Sequence, residues 1–108
     1  MAKLERTLTG NFDQILNRIE QGVLDASMSA TLEDRADYRG TDGSRCSIRV
    51  FERYSYMGGN RVSMNVTLYQ SGGAIRLCAI TAGGSQATFF KINTIGEEAF
   101  LETLENIL

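Results

Sequence analysis

At 108 residues the chain has material for one hydrophobic core and none for a second, so residues 1–108 read as a single domain, and 43% hydrophobic with 22% charged residues is a folded composition, not a disordered one. It contains no His, Trp or Pro, which removes imidazole bases, His metal ligands and Ser-His-Asp triads from its chemistry. A net charge of -2 argues against a general polyanion binder, and no apolar stretch approaches the ~20 residues of a membrane span, so a cytoplasmic protein is expected.

Leu4, Arg6 and Leu8 alternate with Glu5, Thr7 and Thr9 and predict a short, half-buried edge strand that stops at Gly10. Asn11, with Gln14 three positions on, can cap a helix whose apolar stripe is Phe12, Ile15, Leu16, Ile19 and Val23, ending at Gly22 or Asp25. Alternation of Met28, Ala30 and Leu32 with Ser27, Ser29 and Thr31 predicts a second strand, and Thr41-Asp42-Gly43-Ser44 a turn.

Three more strands follow. In the first, Cys46, Ile48 and Val50 share one parity and are expected to face the core, opposite Ser47, Arg49 and Arg53. In the next, Val62, Met64, Val66 and Leu68 form the apolar parity. A two-residue loop at Gly72-Gly73 sets Leu68 opposite Leu77 and Val66 opposite Ala79, so the apolar faces of that hairpin coincide. A similar loop at Gly58-Gly59 would set Val50 opposite Thr67, and an odd loop or glycine bulge is expected there instead.

The segment from Gly83 to Thr94 shows no clean period and is assigned a short edge strand. Thr94 with Glu97 has capping-box spacing, and Phe100, Leu104, Ile107 and Leu108 give a last helix its stripe. The expected fold is therefore α+β: an antiparallel sheet of about five strands with two helices packed on one face, in the order β-α-β-β-β-β-α.

The stretch Arg53-Tyr54-Ser55-Tyr56-Met57-Gly58-Gly59-Asn60, with Ala82-Gly83-Gly84-Ser85-Gln86-Ala87, Phe90-Lys91-Ile92-Asn93-Thr94 and Gly96-Glu97-Glu98-Ala99-Phe100, resembles a small family of uncharacterised bacterial proteins known only as a domain of unknown function. The resemblance covers almost the whole chain and brings neither an activity nor functional residues. As fold analogy, the element order also looks like one half of the TATA-box-binding protein or a reduced helix-grip domain, folds that host unrelated functions.

Three constellations merit weighing against blander readings. On the parity assigned above, Arg49, Phe51, Arg53, Tyr69 and Arg76 would lie on the open sheet face, with Tyr69 opposite Arg76. Residues 27–91 carry eight basic and five acidic side chains, whereas residues 92–108 carry four acidic and none basic. Arginines interleaved with aromatics suit single-stranded nucleic acid or another anionic ligand, although a solvated face or a protein interface is the more ordinary reading. Gly83, Gly84, Ser85 and Gln86 form a loop whose backbone could approach an anion, but without P-loop or dinucleotide spacing a structural turn is favoured.

Glu52, Tyr54, Tyr56 and Met57 continue the supposed core parity, which for a carboxylate needs a partner, a pocket mouth or an exposed strand end. Cys46 and Cys78 fall on opposite faces in this reading and show no paired spacing, so both are expected to be reduced, with no metal site. No base is available to activate Cys78, and no acid/base pair is evident. The expectation is a non-enzymatic binding or interaction module without a cofactor, self-associating as a homodimer, with another protein or a small ligand as further partners; the runner-up is nucleic-acid or anionic-ligand binding through the open sheet face.

Overall fold

The computed structural model describes residues 1–55, 59–83 and 90–108, with the side chains of 90–94 left aside. Five strands, β1 (Ala2–Leu8), β2 (Thr31–Arg39), β3 (Arg45–Ser55), β4 (Asn60–Ser71) and β5 (Ala74–Gly83), form one antiparallel sheet in the order β1-β5-β4-β3-β2. Helices α1 (Phe12–Asp25) and α2 (Phe90–Ile107) complete the predicted order. The chain starts at one sheet edge, and α1 carries it to the other. The β2–β5 meander then returns it to pair β5 with β1.

Helix α1 forms where its spacing predicted. The Asn11 side chain accepts a hydrogen bond from the Gln14 N–H, and Phe12, Ile15, Leu16, Ile19 and Val23 are all buried. They pack on one sheet face with Leu4, Val62, Met64, Val66, Leu68, Ile75, Leu77 and Ala79, and with Phe100 and Leu104 of α2. At the β4–β5 hairpin Ser71 pairs with Ala74 around Gly72-Gly73, with Gly72 at φ +63, and Leu68–Leu77 and Val66–Ala79 pair as expected.

Strand β3 is the main correction. Ser55 pairs with Asn60, so four residues intervene, and this even loop sets Phe51 opposite Met64 and Arg49 opposite Val66. Phe51 is fully buried under the helices, and Cys46, Ile48 and Val50 turn to the uncovered face. The expected odd loop was a response to the wrong inward parity, since an even loop is correct once Phe51 points inward. Glu52 and Tyr54 also turn outward, while Tyr56 and Met57 lie outside the described residues.

Two element boundaries differ as well. β2 begins at Thr31, not near Met28: the Ala30 N–H bonds to the Ser27 carbonyl in a turn that leaves Met28 fully exposed. α2 begins at Phe90, so residues 90–94 are helical instead of strand, and Thr94 lies inside the helix. Glu97 does not close a capping box; it is buried, accepts the Gly83 N–H at 3.0 Å and lies 2.9 Å from the Met1 amino group. Both cysteines are free. Contrary to expectation they share the uncovered face, but with β4 between their strands they are about two inter-strand spacings apart, ~9.6 Å, beyond disulfide reach.

Candidate functional site

The two sheet faces divide the nominated residues. Arg49, Phe51 and Arg53 lie on the covered face, whereas Tyr69 and Arg76 face each other across β4 and β5 on the uncovered one. Gly83 ends β5, and Gly84, Ser85 and Gln86 lie outside the described residues.

The covered-face arginines are occupied with structure. Arg49, 4% exposed, pairs with Glu20 of α1 and with Asp37 of β2 at 3.0 Å, and donates to the Ile48 carbonyl at 2.9 Å. Burial alone would lower its pKa, but its bonds to the Glu20 and Asp37 carboxylates outweigh that and raise it. The Ser47 hydroxyl donates to Asp37 at 2.6 Å and, with Arg49, holds that carboxyl below its ordinary value. One strand pair further on, Arg45 reaches Asp13 at 2.7 Å and lies over the Phe12 ring at 4.2 Å.

Asp13 and Glu20 are two helical turns apart, about 10.5 Å along α1, close to the ~13 Å between Arg45 and Arg49 along β3. That match aligns one flank of α1 with β3 and lets a covered strand face be basic. Arg53 differs. Its guanidinium lies 4.5 Å over the Phe100 ring and donates to the Thr103 hydroxyl at 3.1 Å, but it has no carboxylate partner among the described residues. Desolvation lowers its pKa.

The uncovered face is a grid whose rows follow from the pairing. One row reads Tyr38, Cys46, Tyr69, Arg76 and Thr7; the next Ala36, Ile48, Thr67, Cys78 and Glu5; the third Asp34, Val50, Asn65, Ile80 and Lys3. Charge lies at its margins, where among the described residues Lys3, Arg61 and Arg76 are matched by Glu5, Asp34 and Glu52. The middle sets Ile48, Val50 and Ile80 around Thr67 and Asn65 of β4. Tyr38, Tyr69 and Ile80 are exposed on this face, at 62%, 44% and 40%.

Reading β3 by its apolar parity missed Ile48 and Val50 as members of this surface, while Tyr38 of β2 lay beyond the strand expected there and Ile80 of β5 was not singled out. The available signal was the spacing of Asp13 and Glu20 on α1, which supplies partners for inward arginines. Among the described residues no group of three or more Cys, Asp or Glu is placed to hold a metal ion, and no helix is long and apolar enough to cross a membrane.

No curated protein matches the chain. A family model described as a family of unknown function (DUF6054) matches residues 1–108, the full span that forms the sheet and its two helices, and the chain therefore belongs to that family.

Proposed function

We propose that this chain is a cytoplasmic, non-enzymatic interaction module of bacterial cells that pairs with a second copy of itself through the uncovered sheet face. The observation that carries this reading is the layout of that face: an uncharged middle, with Lys3 beside Glu5 at 3.4 Å on the β1 edge and Asp34 on the β2 edge. A two-fold axis parallel to the central strand β4 would set Lys3 of one copy opposite Asp34 of the other. Ile80 would meet Val50, Cys78 would meet Ile48, and Tyr69 would meet its own counterpart.

Five strands at ~4.8 Å and three rows of side chains offer on the order of 500 Å² per copy, or about 1,000 Å² for the pair, the lower limit of a specific interface. A micromolar, reversible dimer follows. Sedimentation equilibrium from 1 to 300 μM should show mass rising from one chain toward two. Ile80→Arg should hold the mass at one chain without unfolding, since Ile80 is solvent-facing in the monomer. Lys3→Asp should weaken the dimer, and adding Asp34→Lys should restore it. A constant single-chain mass in the parent protein would refute the proposal.

A further inference from the structure

Arg53 borders a hollow of about 290 Å³ on the covered side of the sheet, remote from the grid of the uncovered face. Its walls are the end of α1 at Ala26 and Ser27, the end of β3, and Ile95, Gly96 and Ala99 of α2. An arginine keeps its charge at any physiological pH, so partial burial without a counter-ion costs free energy that a bound anion would recover. Every other arginine on the covered face of β3 has its acid: Arg45 has Asp13, and Arg49 has Glu20 and Asp37.

A guanidinium carries five N–H donors, and the bond to Thr103 uses one. With one face stacked on Phe100, its orientation is fixed, and its remaining donors, which meet no acceptor among the described residues, can bind a planar, two-oxygen acceptor side-on. Ala26, Ile95 and Ala99 contribute small and aliphatic surface to the wall, beside Ser27, Tyr54 and Ser55. We infer that this hollow binds a small monocarboxylate with an apolar body, its carboxylate on Arg53 and its hydrocarbon part against Ile95 and Ala99. A volume near the lower end of ligand pockets admits about ten non-hydrogen atoms and excludes nucleotides.

The test uses benzoate as probe and benzamide as its neutral isostere, titrated to 20 mM into ¹⁵N-labelled protein held below 20 μM. Benzoate should produce saturable amide shifts concentrated at residues 26–27, 53–55 and 95–99, with benzamide at least tenfold weaker. Arg53→Gln, shown folded by its amide spectrum, should weaken benzoate at least tenfold. Ala99→Phe, which fills the hollow and keeps the cation, should do the same. Inorganic phosphate producing the same shifts as tightly as benzoate would overturn the carboxylate assignment. Absence of saturation in the parent protein, or equal binding by the folded Arg53→Gln and Ala99→Phe variants, would overturn the site itself. None of these outcomes depends on whether the sheet face dimerises.

Discussion

Replacing Phe51 by Ala tests the parity of β3 directly. The ring is fully buried, opposite Met64 and beneath the helices. A buried aromatic removes about 150–250 Å² from water, most of it lost on truncation to Ala; at ~25 cal/mol per Å² this is about 3–4 kcal/mol, and the residual cavity brings the cost to about 3–5 kcal/mol. Against a typical domain stability of about 5–15 kcal/mol, that is a large fraction. In urea, with a slope of about 1–3 kcal/mol per M, the midpoint should drop by roughly 2 M. Ile48→Ala is the control, because Ile48 lies three residues away on the uncovered face and should cost about 1 kcal/mol. With no Trp in the chain, far-UV circular dichroism is the readout, with both variants made in the Ile80→Arg background so that self-association adds nothing. A loss below 1 kcal/mol for Phe51→Ala, or an equal loss for Ile48→Ala, would refute the inward placement of Phe51.

Acid should destabilise the fold through Asp37. Its carboxyl titrates below the ordinary 3.8 because Ser47 and Arg49 favour its charged form, so near and below that value the unfolded chain binds more protons, and stability is lost as pH falls through the folded value. The urea midpoint should fall between about pH 5 and 2, less steeply in Asp37→Asn, and an identical acid limb in the variant would remove Asp37 from the account. Gly96→Ala should lower the melting temperature despite a helix-propensity gain of about 1 kcal/mol, because a Cβ there would meet Ser55 Oγ at 2.6 Å and Ser55 Cβ at 3.3 Å. A raised melting temperature would show that the Ser55 side chain can move aside without cost.

What the sequence disclosed tracks the range of the interactions involved. The α1 stripe and the Gly72-Gly73 hairpin were legible because their determinants lie within a few residues of each other. The inward face of β3 was not, because Arg45 and Arg49 are neutralised by Asp13 and Glu20, about 30 residues earlier, and no periodicity within β3 contains that information. Its apolar parity, Cys46, Ile48 and Val50, belongs to a face that neither α1 nor α2 covers. At α2 the spacing of Thr94 and Glu97 imitated a cap, whereas Glu97 is engaged with Gly83 at the end of β5. Of the proposed ligand face, Tyr69 and Arg76 were placed correctly by one hairpin register. Arg49, Phe51 and Arg53 were misplaced together because a single parity choice governed all three.

The pairing of the first strand with the last sets a timetable for synthesis. Ala2 meets Thr81 and Leu8 meets Ile75, so β1 leaves the ribosome about 70 residues ahead of the strand that receives it. At about 5–20 residues per second the nascent segment waits roughly 4–14 s with Leu4 and Leu8 unsheltered, while β2, β3 and β4 zip to neighbours made moments earlier. During that interval the β5 edge of a neighbouring copy whose own β1 has not yet docked would accept the same seven residues. Crowded polysomes are therefore where this architecture is most exposed to exchanging its first strand between chains.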